Sequence, residues 1–580
     1  MSTIDWIVLA ATLLGIVGYG LYKSSTSKNL EGYFLSNRNM PWYLVLLSIM
    51  GTQASAITFL SAPGQAFTDG IRFVQYYFGL PLAMVVLCIT FVPLFNRLKV
   101  FTAYEFLEQR FNIETRTLTA ALFLIGRGLS TGISIYAPSI ILSSLLGWNI
   151  YLTNCIMGGL LIVYTVTGGA KAVAYTQQLQ LLIIFAGMGI AAYWMVYHLP
   201  VNVDVSDALA VGGANGKMNV ITTGVTAQGF QWKDRYNLWS GLIGGFFLSL
   251  SYFGTDQSQV GRYLTAKDTK ESKIGLLMNG LVKVPMQFFI LLIGVLLFAY
   301  YQFQPQPIFF NKAAETKVIH TPQADSLQQL AQQFQAIQKI QQQASQQWLT
   351  SNKTDIASKH QMLQLQQQKD SLQKAYKAML KRADSSIDAN DTNYIFLRFV
   401  VDVLPKGLVG LLIAIIFLAA WGSIAAALNS LASCTMIDFY CRFKYGTSNP
   451  VCSEADKQQQ YRLSKWYTFG WGVFCIIVAQ FSNRMGSLIE AVNVLGSLFY
   501  GVILGIFLVA FYMKRIGGKA AFWSAVVSEL IIILLFVLDN NGTIGLGFLW
   551  LNVIGALLVC FLAYILSFFT HEKKIVSVTL

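Results

Sequence analysis

The chain has 580 residues, of which 55% are hydrophobic and only 12% charged, and its formal net charge is +14. A soluble globule needs far more charge to solvate its surface, so this composition excludes one and points to a lipid environment. The positive charge calls for no nucleic-acid partner, because it gathers in short loops between apolar stretches and in one polar insert.

Thirteen apolar stretches approach membrane-spanning length: 4–22, 41–62, 74–97, 116–143, 149–168, 176–198, 239–257, 276–302, 400–438, 462–482, 486–513, 519–538 and 546–569. The first carries Asp5, lacks a basic start and shows no small-residue cleavage pattern, so it reads as a retained span and not a signal peptide. In the second, Gly51, Thr52, Gln53, Ser55 and Thr58 fall near mid-depth, and Pro63-Gly64 end it. An unwound backbone survives in hydrocarbon only where it is buried in protein or lines a cavity. This stretch reads as half of a transporter binding site.

Arg127 lies inside the fourth stretch, in LFLIGRGLSTG, with Ser130 and Thr131 one turn on. A buried guanidinium needs an acceptor, and a carboxylate is the best one. It reads equally as an arginine capped by carbonyls or snorkelling to the interface. SLSYFGTD, holding Ser249 and Tyr252, is a second interrupted stretch. Lys283 sits well inside 276–302, where Asp256 or a carbonyl is its expected partner if it is structural.

Residues 304–396 are polar and rich in Gln and Lys. Leu327, Leu330, Phe334, Ile337 and Ile340 recur at helical spacing, as do Met362, Leu365, Leu372, Ala375 and Met379. The pattern predicts an antiparallel helical hairpin outside the membrane, a solvated insert before it is a partner-binding arm. The expected organisation is a membrane domain in two parts, 1–303 and 397–580, interrupted by the extracytoplasmic insert 304–396.

Lys/Arg clusters follow spans one (Lys23, Lys28, Arg38), three (Arg97, Lys99, Arg110, Arg116), seven (Arg262, Lys267, Lys270, Lys273), nine (Arg442, Lys444, Lys457, Arg462, Lys465) and eleven (Lys514, Arg515, Lys519), and Lys573 and Lys574 end the chain. All share one side if the amino terminus is outside and the carboxyl terminus cytoplasmic, as in a multi-pass protein of the plasma or inner membrane. Cys88, Cys155, Cys434, Cys441, Cys452, Cys475 and Cys560 form no disulfide framework and no metal spacing, and His198, His320, His360 and His571 sit at span ends or outside.

Several motifs, in order, resemble the sodium/solute symporter family: SAITFLSAPGQAF, FNRLKVFTAYEFLEQRFN, Tyr136-Ala-Pro-Ser, GGAKAVAYTQQLQ, YFGTDQSQVGRYLTAKD, LPKGLVGLLIAIIFLAAWGSIAAALNSLAS and VNVLGSLFYGVILGIF. The first half is most similar to the iodide, vitamin and monocarboxylate branch. The resemblance implies an all-α polytopic membrane protein of the LeuT-type fold. Two inverted five-helix repeats, about 41–198 and 239–513, would be flanked by extra helices.

The resemblance places a sodium ion among Gly51, Ala54, Ala419, Gly422 and Ser423, a set of oxygen ligands suited to a hard cation. Gly422-Ser423 and Ala425–Ala427 also read as small residues for close helix packing. Two positions depart from the family: Gly422 stands where a hydroxyl is usual, and Gln177 where an Asp is usual. The departures bear on whether sodium or a proton is the coupling ion.

The resemblance places the solute among Gln53, Ser55, Thr58, Phe73, Tyr76, Tyr77, Arg127, Ser249, Tyr252, Lys283 and Asn493. The Glu, Gln and Ser of the family's sugar carriers match Tyr77, Thr58 and Leu80, which argues against a galactose-like hexose, although Lys283 matches those carriers' lysine. Arg127 lies within about one turn of the arginine with which sialic-acid carriers hold a carboxylate. The expected function is sodium-coupled symport of a small carboxylated solute such as a sialic acid, a sugar acid or a monocarboxylate. The alternative is a neutral sugar or polyol, driven by sodium or protons. A channel is disfavoured by the inverted-repeat motifs, and an enzyme by the lack of HExxH or GxSxG in context. The partners are the solute, sodium and lipid, with no cofactor; the oligomeric state is not legible.

Overall fold

The computed structural model of the chain describes residues 1–24, 30–319, 321–446, 454–482 and 486–570. Lys28, His320, Cys452, His571, Lys573 and Lys574 lie outside them. Apart from the two-residue strands Val225–Thr226 and Gly229–Phe230, the described secondary structure is helical.

The helix Leu408–Cys434 carries no charged residue and is buried along nearly its whole length. A helix apolar all round must be enclosed. It packs against Thr3–Ser24, Ile113–Leu146 and Ile150–Tyr197. By contrast, Gly518–Asn540 and Leu549–Ser567 present Leu530, Leu534, Phe561 and Tyr564 outward, as a lipid-facing surface does.

Among the described residues, eight helices are long and apolar enough to cross a membrane, or nine with the bent pair Trp42–Gln53 and Ala56–Asp69 taken as one. Shorter apolar helices fill the expected spans one, five and seven. The expected 462–482 lies in Glu454–Gln480, which falls short on the same test. Length and composition alone therefore do not yield thirteen. Two expected boundaries also shift. The expected 400–438 divides into Thr392–Val403 and Leu408–Cys434, parted at Pro405 and at Gly407, whose φ of 92° suits glycine. The expected 149–168 and 176–198 form one helical stretch, Ile150–Tyr197. It cannot be straight, because Tyr164 Oη and Thr176 Oγ1 lie 2.7 Å apart, whereas twelve residues of straight helix rise about 18 Å.

Asp5 accepts hydrogen bonds from the Gly407 and Gly410 amides. This pins the start of the first helix to the start of Leu408–Cys434, at the end of the bundle where the insert joins. The insert holds two long helices, Ala324–Thr350 and Ile356–Ala383, packed on each other. Leu327, Phe334, Tyr376 and Leu380 form one apolar cluster and Ala344, Trp348, Met362 and Leu365 another. Ile340, expected on the buried face, is instead 46% exposed. The hairpin is fastened to the helix below it: Gln338 donates to the carbonyls of Tyr301 and Gln304 and accepts from the Gln306 amide.

Candidate functional site

The break in the first core helix releases carbonyls at mid-depth. Ala54 (φ −79°, ψ 73°) and Ser55 (φ −83°, ψ 171°) leave helical geometry, and the chain turns by 60° before Ala56–Asp69 begins. In an unbroken helix the Ser55 amide would serve the Gly51 carbonyl, and the Thr58 amide that of Ala54. Here Ser55 N donates to Gln53 O at 2.9 Å and Thr58 N to Ser55 O at 3.0 Å. The Gly51 and Ala54 carbonyls thus lose their helical donors. A second break separates Gly245–Gly254 from Gln257–Tyr263, and Asp256 caps the second half through Ser258.

Opposite the first break stands Ser423. Its Oγ donates to Ala419 O at 3.0 Å and Ala420 O at 3.1 Å, which leaves the hydroxyl oxygen free to accept a cation. Ser423, Thr52, Ser55 and Ser130 line one cavity of about 70 Å³. Ala54 and Ala419 are buried and do not line it. Gly422 is placed differently from the sequence expectation. Its carbonyl accepts from Gln177 Nε2 at 3.1 Å, while Gln177 Oε1 accepts from Ser48 at 3.0 Å. A Cβ on Gly51 would lie 2.8 Å from the Gln177 side chain, and one on Gly422 would lie 2.5 Å from Gln180 Oε1. Both glycines therefore allow close packing, and a neutral amide, Gln177, bridges Ser48 to the Gly422 carbonyl. Gln180 escaped the sequence reading, although TQQLQ puts it one turn beyond Gln177.

A larger cavity, about 120 Å³, adjoins the first. Of the expected solute residues, Gln53, Ser55, Thr58, Tyr77, Arg127, Ser249, Tyr252, Lys283 and Asn493 all line it, as does Tyr76. Phe73 does not. It is fully buried behind the wall, stacked on Tyr76 at 5.6 Å and edge-on to Tyr236 at 4.9 Å. The two expected cations have different surroundings. Asp256 does not pair with Lys283. Its Oδ2 accepts from Tyr500 Oη at 2.7 Å and lies 3.9 Å from Arg127 Nη1. Arg127 thus faces a carboxylate within the protein, though its Nε has no partner among the described residues. Lys283, 1% exposed, lies 5.6 Å from the Tyr77 ring, and no ion pair holds it among the described residues. Tyr500 was missed from sequence, although it lies two turns beyond Asn493 on one helix.

Two interrupted helices facing a polar mid-depth cavity, inside a bundle of apolar helices, define a multi-pass membrane carrier. The family model for the sodium:solute symporter family matches residues 33–329 and 378–528, most of the chain, and the chain belongs to that family. The gap between the matched stretches falls within the hairpin. The chain is 26% identical over 578 residues to the sodium/sialic acid symporter SiaT of Proteus mirabilis, covering 96% of this chain and 93% of that one. It is 27% identical over 523 residues to the sodium-dependent multivitamin transporter of Oryctolagus cuniculus, covering 87% of this chain and 66% of that longer relative. The solved structure of a Na+-coupled sialic acid symporter, substrate-bound and outward-open, superposes with a TM-score of 0.73 at 22% identity over 99% of each chain. The fold is of the LeuT type.

Proposed function

We propose that this chain is a secondary active transporter that couples inward sodium movement to symport of a small carboxylated solute. The observation that carries the reading is Lys283, a buried cation on the cavity wall with no ion pair among the described residues. A buried ammonium without a counter-charge is costly, and a carboxylate arriving as solute supplies one. Arg127 is held by Asp256 and shapes the opposite wall. Ser55, Thr58, Ser249 and Asn493 offer hydroxyl and amide groups to the remainder of the solute. Sodium binds at the carbonyls of Gly51, Ala54 and Ala419 with the Ser423 hydroxyl. The Gly422 carbonyl, turned to Gln177, contributes little. Sodium brings about 2.3 kcal/mol per 100 mV of membrane potential, and occupancy favours the state in which solute enters. The amino terminus and the insert face outward, the carboxyl terminus is cytoplasmic, and the protein resides in the plasma or inner membrane.

The test is uptake into proteoliposomes under an imposed sodium gradient, with labelled sialic acid, a monocarboxylate and a neutral hexose compared. Carboxylated solutes should accumulate and the hexose should not. Sodium-driven hexose uptake would overturn the carboxylate reading, and uptake driven by protons alone would overturn the coupling ion.

A further inference from the structure

Arg262 follows span seven in the sequence and reads there as an ordinary positive loop residue. The structure places it elsewhere. It lies on Gln257–Tyr263 against the far half of Leu408–Cys434, at the end of the bundle away from the insert, and is only 4% exposed. Among the described residues its one side-chain hydrogen bond is a long contact of 3.4 Å from Nη2 to Ala426 O, and its Nε has no partner. Among the described residues no carboxylate is within ion-pair distance. One turn beyond Ala426, Asn429 is 3% exposed, and neither its amide nitrogen nor its oxygen finds a partner among the described residues. Arg262, Asn429, Ser430 and Ser433 line one small cavity together with Gln257 and Gly261.

Guanidinium stays protonated in proteins, so burial cannot be relieved by losing the charge. A buried charge needs an opposite charge or several hydrogen bonds. The cavity holds about 10 Å³, room for one particle near the size of a water molecule. That excludes carboxylates, phosphate and sulfate. A cation is excluded by Arg262 itself. A halide ion answers the unpartnered donors, Arg262 Nε and the Asn429 amide nitrogen. It neutralises Arg262 and accepts from the Asn429 amide, and the Ser430 hydroxyl, which donates to Ala426 O at 2.9 Å, can rotate toward it.

We propose that this cavity is a binding site for a monovalent halide, chloride under ordinary conditions, separate from the sodium and solute cavities. Bound chloride joins Gln257–Tyr263 to Leu408–Cys434, across the halves of the bundle that alternating access must separate.

The test uses the purified full chain without solute, at constant sodium, with chloride exchanged for gluconate. Chloride and bromide should raise the thermal unfolding midpoint saturably by a few degrees, and gluconate and sulfate should not. Asn429→Asp builds a carboxylate into the cavity and should abolish the chloride response, because the counter-charge is then covalent. Arg262→Gln removes the need for one and should abolish it too; either variant suffices if the other does not fold. No halide response in the unaltered protein would mean that the cavity holds only water, and the proposal fails. A response that persists undiminished in the variants places the ion elsewhere and equally overturns it. Because no solute is present, either result leaves the solute reading untouched.

Discussion

Arg116 and Arg127 lie about three turns apart on one helix, and the protein treats them in opposite ways. Arg116 is saturated. It donates to Asp438 through Nε at 2.9 Å and Nη2 at 2.6 Å, and to Glu108 through Nη1 at 2.7 Å. Glu108 is in turn shared with Arg442. This network ties Ile113–Leu146 to the segment after Leu408–Cys434, and none of its members lines the sodium or solute cavity. Arg127 has one carboxylate at the edge of ion-pair distance, an unpartnered Nε, and a cavity in front of it. Lys283 and Arg262 are barer still. A buried charge that holds structure together is over-satisfied. The under-satisfied ones face cavities.

The sharpest way to break this contrast is to remove the saturated member. Arg116→Gln strands Asp438 in the core, and loss of one partner from a buried pair costs about 3–5 kcal/mol. We expect a large fall in the unfolding midpoint and in the yield of inserted protein. If Arg127→Gln proves the more destabilising of the two, the contrast is wrong.

Lys283→Gln tests the bare member. Binding of a carboxylated solute should fall roughly 100-fold, the scale of a lost charge-assisted contact of about 3 kcal/mol. The unfolding midpoint without solute should hold or rise, because an uncompensated buried cation is gone. Equal loss of binding for neutral and carboxylated solutes would assign Lys283 to cavity shape alone.

Arg127→Lys should have a smaller effect, about tenfold on solute binding, through loss of the planar fork that spans Asp256 and the cavity wall. Solute affinity unmoved by this change would confine Arg127 to holding Asp256. Ser423→Ala should raise the sodium concentration for half-maximal uptake by about tenfold, or roughly 1.4 kcal/mol, with insertion unchanged. Sodium dependence identical to that of the unaltered chain removes Ser423 from the site.

The smallest effect concerns a buried cation of the insert. Lys369 Nζ donates to Gln306 Oε1 at 3.0 Å and lies 5.2 Å from the Phe334 ring. Burial pushes its pKa down to about 7. The unfolded hairpin then binds more protons than the folded one between about pH 7 and the ordinary lysine value, so the hairpin gains stability as pH rises through that window. Below about pH 7 both forms are charged and that gain is absent. Proteolysis of the hairpin, measured against a mobile internal reference, should slow between pH 7 and 9.5, and Lys369→Met should flatten the trend. An unchanged pH trend in that variant would show that Lys369 does not govern it.

Composition alone set the lipid environment, because so few charges cannot solvate a chain of this length. The mid-span run of Gly51, Thr52, Gln53 and Ser55 marked a break, since polar groups in hydrocarbon must either line a cavity or be satisfied within the protein. Most of the lining of the larger cavity was legible for the same reason. Tertiary structure decided who faces whom. Nothing local shows that Asp256 turns to Arg127 and Tyr500 and not to Lys283. Nor does it show that Phe73 lies one layer behind Tyr76, or that Gln177 takes the Gly422 carbonyl. It also hides that Arg262, a loop charge by position, is buried with no carboxylate at ion-pair distance among the described residues. Whether a charge is paired depends on the crossing of helices distant in sequence, and only the packed bundle brings those side chains within reach.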